Sequence, residues 1–200
     1  MKSKDAVLAK AMDEIGLLRR EIIPDMFMAL ISSIIGQQIS AKAHKTVWER
    51  FQTKFAPVTA EHINSISAEE LQTCGISIRK AIYIKEITSQ ILDGSLDLVQ
   101  LQTMSDDDVC KRLSQIKGIG VWTAEMLMIF SMQRMDVLSW GDIAIHRGLR
   151  MLYGHKEITK NLFDKYKKRY SPYATVASLY LWHISAGTCD GYVDYAAKKV

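Results

Sequence analysis

Three cysteines stand in 200 residues, Cys74, Cys110 and Cys189, with no C-x-x-C pair and no neighbouring set of histidines. That pattern excludes a disulfide framework and a structural zinc site. Proline is as scarce, at three residues, and alternating strand-like stretches are few, which excludes a β-sandwich or barrel. Long hydrophobic runs are missing as well. The most apolar stretch, residues 26–35, is interrupted by Ser32 and Ser33, and crossing a bilayer takes about 20 residues. The first residues, MKSKDAVLAKAMDEIG, mix charge and apolarity where a signal peptide would need an apolar core. The expectation is a cytoplasmic protein that meets no membrane. His44, His62, His146, His155 and His183 show no metal-ligand spacing, so no catalytic role is assigned to them.

What is present reads as helix. Apolar residues make up 48% and charged residues 24% of the chain, enough to bury one substantial core or two small ones. Helices are expected near 5–16, 25–35, 40–55, 59–65, 68–73, 77–92, 106–116, 121–132, 143–153, 159–169 and 172–187. Ser67 with Glu70 and Ser105 with Asp108 make capping patterns, and Ser171 before Pro172 reads as an N-cap and first helical position. Ala81, Ile84, Ile87 and Ile91 recur at helical spacing and mark one buried stripe. The formal charge of +4 permits a polyanionic partner without requiring one. Lys111, Arg112 and Lys117 form one basic group, and Lys165, Lys167, Lys168 and Arg169 form a second. A solvated helix face accounts for the second group as well as nucleic-acid contact does.

The most informative segment is LSQIKGIGVWTAEMLMIFSMQRMDVLSWGD, residues 113–142. Gly118 and Gly120 bracket Ile119, so the backbone there can take positive φ and close a turn between two helices pinned by one apolar residue. Amide groups at the start of the next helix then suit a phosphate. Downstream, Asp142 stands at the start of another helix, where it is either a cap, a catalytic carboxylate, or both. In the last helix Tyr173, Val176, Ala177, Tyr180, Leu181 and Ile184 share a face. Trp182 falls opposite, among Thr175, Ser178 and Ser185, and an indole off the buried stripe calls for a second packing surface or a ligand.

Leu113, Ile116, Gly118, Ile119, Gly120, Trp122, Thr123, Ala124 and Asp142 together resemble the helix-hairpin-helix DNA glycosylase superfamily, in its 3-methyladenine DNA glycosylase II branch. ISIRKAIYIKEI, the Trp182 helix and IIGQQIS extend the likeness over most of the chain. The resemblance implies an all-α, two-lobed fold with an interlobe active-site cleft and no N-terminal sheet domain. Residues 25–124 would form a central lobe carrying the hairpin, and residues 1–24 and 125–200 a second. It implies Asp142 as the catalytic carboxylate and a base pocket of Trp182, Met126, Trp140 and Trp122, with Trp122 mainly a core aromatic anchoring the hairpin. DNA contacts would come from Gln37, Gln38, Lys117, Gly118, Ile119, Gly120 and Thr123, with Gln38 as the wedge that fills the space of a flipped nucleotide. Hairpin carbonyls near Gly118 would be candidates for a monovalent cation; no other cofactor is expected, and no iron–sulfur cluster.

Departures from the family are local. Ser139, Trp140 and Gly141 replace a proline and a second aspartate before Asp142, and Met126 stands where an aromatic is common. Trp122 occupies the place of the lysine that forms Schiff bases in bifunctional relatives, so the resemblance implies a monofunctional hydrolase. The expected activity is excision of alkylated bases of the 3-methyladenine and 7-methylguanine type from double-stranded DNA, by a monomer in the nucleoid region of the cytoplasm. The alternatives are a glycosylase for deaminated or mismatched bases and a noncatalytic helix-hairpin-helix module in which Asp142 only caps.

Overall fold

The computed structural model describes residues 1–187, 189 and 191–196. Those residues form helices and no strand, as the sequence predicts. In order they are α1 (Ala6–Ile15), α2 (Met26–Gly36), α3 (Ala41–Lys54), α4 (Ala60–Ser65), α5 (Ala68–Gln72), α6 (Ile78–Leu92), α7 (Leu98–Thr103), α8 (Asp106–Ser114), α9 (Val121–Phe130), α10 (Ile143–Tyr153), α11 (Lys160–Tyr170) and α12 (Ala174–Ser185). Among the described residues no helix is long and apolar enough to cross a membrane.

Side-chain oxygens start most of these helices. Ser67 accepts the Glu70 N–H at 3.1 Å and Ser105 the Asp108 N–H at 3.2 Å, as their spacing predicts. Helix α7 is absent from the expected set. It is as short as α4, and Asp97 caps it through the amides of Val99 and Gln100. The reading of Ser171 and Pro172 as the start of the last helix is corrected. The Ser171 N–H still bonds Lys167 at the end of α11, and its hydroxyl donates to Asp136 Oδ2 at 2.6 Å. The first amide of α12, at Ala174, is instead taken by Asp136 Oδ1 at 3.1 Å. Tyr173, placed on the buried stripe, lies just before that helix and is 44% exposed.

The chain divides into two compact units. Unit 1 is Met1–Glu21 with Gln133–Val200, and unit 2 is Ile22–Met132. The later break falls after Met132, not after Ala124, because α9 stays in unit 2 through buried Leu127, Met128 and Ile129.

Unit 1 is organised on α10 and α12. Leu149, Phe163, Tyr170, Leu181 and Ile184 form its core with Leu8 from the N-terminal helix. Asp5 fastens that helix: it accepts from Leu8 N at 2.9 Å, Tyr153 Oη at 2.8 Å and Arg169 Nη1 at 2.9 Å. Burial pushes the Asp5 carboxyl up, but those three donors and the Arg169 charge together hold it below its usual value. Arg169 is thereby committed to Asp5 while its side chain stays exposed. In unit 2, α4 and α5 lie against α6, whose Ala81, Ile84 and Ile87 are fully buried, and α2 is buried on most sides.

Gly148 sets the approach of α10 to α12, since a Cβ there would lie 2.3 Å from the Leu181 carbonyl oxygen. Backbone cannot yield as a flexible side chain can. Gly148→Ala should therefore destabilise the protein by about 3 kcal/mol or more, read as a lowered urea midpoint; an unchanged midpoint would contradict this packing.

Candidate active site and hairpin

In the hairpin, Gly118 has φ 86° while Gly120 has φ −87°. The positive φ expected in this turn thus falls on Gly118, and Tyr83 gives that position a second reason for glycine. A Cβ on Gly118 would fall 2.5 Å from the Tyr83 ring. Ile119 is buried, as its pinning role requires, and Gly120 is the N-cap of α9 without a side chain to cap it. The start of α9 keeps the dipole that favours an anion there.

Helix α6 ties the hairpin to the Gln37–Gln38 turn. Lys80 Nζ donates to the carbonyls of Ile35 at 2.9 Å and Gln37 at 2.6 Å, and Gln37 Nε2 donates to the Gly118 carbonyl at 2.6 Å. A lysine on the last carbonyls of α2 satisfies groups that a helix end leaves unpaired. Burial holds the Lys80 amine below its usual value. Gln37 is therefore a strut between turn and hairpin. Gln38, exposed and at φ 58°, is displayed at the surface. Sequence reasoning missed Lys80, although its place one turn before Tyr83 on the recognised helix was the available signal.

Lys117 Nζ donates to Glu86 at 2.9 Å, and this contact holds its amine above the usual value. The pair is exposed and worth little, so a phosphate can displace Glu86. Thr123 is buried, which argues against a hydroxyl contact with DNA. The cation expectation meets an obstacle too. Ile116 O accepts the Ile119 N–H at 3.0 Å and Gly118 O the Gln37 amide, so a cation would share its ligand with a donor dipole aimed at the same atom. Among the described residues, no group of three or more His, Cys, Asp or Glu side chains is arranged to hold a metal.

Asp142 caps α10. Its Oδ1 accepts from Ala144 N at 2.9 Å and Ile145 N at 3.0 Å. The residue is 6% exposed, between Gly141, which is exposed, and Ile143, which is 84% exposed. A carboxylate so held has little orientational freedom. The segment before it is splinted to α12: Thr175 Oγ1 donates to Arg134 O at 2.7 Å, Val137 N donates to Thr175 Oγ1 at 3.0 Å, and Ser178 Oγ donates to Val137 O at 3.0 Å. Thr175 and Ser178, on the face opposite the apolar stripe, thus find a second packing surface in residues 134–137.

The expected pocket residues fall in both units, Trp140 and Trp182 in unit 1 and Trp122 and Met126 in unit 2. Trp140 packs against His146 at 4.5 Å and Phe163 at 5.1 Å between ring centroids, and its carbonyl accepts from His146 Nε2 at 2.8 Å. It buttresses the approach to Asp142. Trp182 is half-buried at the edge of the unit 1 core, with the Arg20 guanidinium 5.5 Å above its ring. A cationic base stacking on that face would have to take the place of Arg20. Trp122, expected mainly in the core, is 48% exposed. It lies in the first turn of α9, ahead of the buried run that begins at Thr123. Met126 belongs to unit 2 and is half-buried on α9.

The family model for HhH-GPD superfamily base excision DNA repair proteins matches residues 31–172. The chain belongs to that superfamily. This HhH-GPD chain is 35% identical over 163 residues to DNA-3-methyladenine glycosylase 1 of Schizosaccharomyces pombe, covering 78% of this chain and 71% of that one. Its structure is similar to that of a DNA-3-methyladenine glycosidase from Bacillus halodurans, with a TM-score of 0.86 at 36% identity over 97% of this chain and 91% of that one. It is also similar to a 3-methyladenine DNA glycosylase of Schizosaccharomyces pombe in complex with abasic DNA, with a TM-score of 0.81 at 29% identity over 97% and 100% of the two chains.

Lys80→Met keeps the aliphatic stem and removes the donor. It should lower stability by about 1–2 kcal/mol and weaken duplex DNA binding several-fold in an anisotropy titration at fixed salt. Binding unchanged beside lost stability would show that the turn and hairpin do not depend on this lysine to hold DNA.

Proposed function

We propose that this chain is a monofunctional DNA glycosylase that excises alkylated bases, of the 3-methyladenine and 7-methylguanine type, from double-stranded DNA in base excision repair. The observation that carries the reading is the fixed carboxylate of Asp142, in a chain of this superfamily. The hairpin of Gly118, Ile119 and Gly120, with Lys117 beside it, holds a phosphate. Gln38 occupies the gap left by the flipped nucleotide. As the glycosidic bond breaks, its electron pair leaves with the base and positive charge builds on the sugar; Asp142 stabilises that charge and accepts a proton from the attacking water. Oxygen from water ends on C1′, giving an abasic site. An alkylated base that already carries positive charge is the better leaving group. Trp122 has no amine with which to form a Schiff base, so the strand stays intact.

A second reading has an observation of its own. Asp142 is a cap, and a cap alone would fit a noncatalytic DNA-binding module. Two substitutions separate the readings. Asparagine caps about as well as aspartate, whereas alanine costs about 1 kcal/mol at a cap. Asp142→Asn should leave stability within experimental error of wild type while slowing base release by about 10²–10⁴-fold. Asp142→Ala should lose both. Base release that persists in a folded Asp142→Asn protein would refute the catalytic role.

A further inference from the structure

Gly141 is the freest residue in the segment that presents Asp142. It is exposed, its φ lies outside the left-handed region, and a Cβ added there would meet nothing within 4 Å. Neither space nor backbone conformation requires glycine at this position, so its main effect is to loosen the chain immediately before the carboxylate. That freedom bears on Asp142, which makes its capping bonds at φ −90° and ψ 109°. Turning the peptide between residues 141 and 142 changes that φ and carries the carboxylate off the Ala144 and Ile145 amides.

His146 holds both sides of that glycine. Its backbone N–H donates to the Asp142 carbonyl at 3.2 Å, and its ring Nε2 lies 2.8 Å from the Trp140 carbonyl oxygen. A carbonyl oxygen only accepts, so Nε2 carries the proton. The ring is fixed in turn by its neighbours, all of them in unit 1. It stacks on Phe163 at 5.7 Å and 26° and meets Trp140 at 4.5 Å and 57°, while Phe163 meets the indole edge-on at 5.1 Å. Phe163 is 1% exposed in the unit 1 core and gives the stack a fixed base. Lys160, the first residue of α11, places Nζ 5.5 Å from the Trp140 ring centroid and 5.7 Å from that of Phe163, where cation and rings attract.

We propose that His146 is a positioning residue for base excision: its Nε2–H holds the Trp140 carbonyl, and through it the turn that presents Asp142 to the sugar. This inference rests on the reading of Asp142 as the catalytic carboxylate. His146 acts through Trp140 and not on the substrate. Its two bonds supply the constraint that Gly141 lacks, so the turn is ordered before DNA arrives. Without the ring bond the carboxylate would spend part of its time away from its productive position. The consequence falls on the rate of base release and not on the grip on DNA.

The test compares the full chain with His146→Phe and His146→Gln, well below their melting temperatures. It measures single-turnover release of methylated purines at saturating protein, and affinity for the same duplex without methylation. Phenylalanine keeps a ring against Trp140 and Phe163 but has no donor; glutamine gives up the ring and keeps an N–H near the place of Nε2. His146→Phe should slow release about 3–10-fold, the worth of one neutral hydrogen bond, with DNA affinity unchanged, and His146→Gln should recover most of that loss. Wild-type rates in both variants overturn the positioning role and leave the glycosylase reading standing. Glutamine as slow as phenylalanine also overturns it, because the ring and not its proton would then matter. So does a loss of DNA affinity equal to the loss of rate. No release by wild type overturns the catalytic reading of Asp142 and the positioning role with it. In the wild-type protein, whatever the variants' folding, the His146 Nε2 proton should appear by NMR as protected from exchange with water; exchange as fast as that of free imidazole overturns the bond.

Discussion

A carboxylate held by two backbone amides is the constraint on which the candidate chemistry depends. Asp142 Oδ1 sits on the Ala144 and Ile145 amides, so the helix start that it stabilises also orients it. Caps and catalytic groups are usually weighed as rivals. In the proposed reaction the geometry of one serves the other, because chemistry at a developing cation needs a carboxylate that does not have to be ordered at the moment of reaction. The loop before it carries little regular structure and is kept in place by Asp136, Thr175 and Ser178. Those residues do for the approach to Asp142 what a rigid strand does in other folds.

The second constraint lies in unit 2 and runs through α6. Its Tyr83 packs on Gly118, its Lys80 holds the end of α2, and its Glu86 holds Lys117. One helix thus sets the backbone of the hairpin, the turn that displays Gln38 and the resting position of the hairpin's lysine. A groove for a polyanion gains from this arrangement, since the parts that grip the backbone are ordered before binding and association does not have to order them.

Much of this was legible in the sequence because it is local. Serine and aspartate caps, the buried stripe of α6 and the turn at Gly118 each depend on residues a few positions apart. What was not legible depends on distant partners. Ser171 has the form of an N-cap, but Asp136 claims its hydroxyl and takes over the capping of α12. Trp182 reads as an open aromatic face until Arg20 is found above it. Trp122 was expected as a core aromatic anchoring the hairpin, yet in the first turn of α9 it is exposed. Helix α7, as short as the expected α4, was missed although Asp97 before Val99 and Gln100 was an available capping signal. His146 carried no signal at all: only the fold shows the Trp140 carbonyl beside its ring.

In the proposed function the hairpin grips DNA and the fixed carboxylate of Asp142 serves the hydrolysis. The most direct measurement incubates the intact protein with duplex DNA treated with a methylating agent, then identifies the free bases by chromatography and scores abasic sites in the same sample. The account predicts methylated purines in solution, one abasic site for each base released, and no covalent protein–DNA adduct after borohydride. Tight DNA binding with no base released would contradict it.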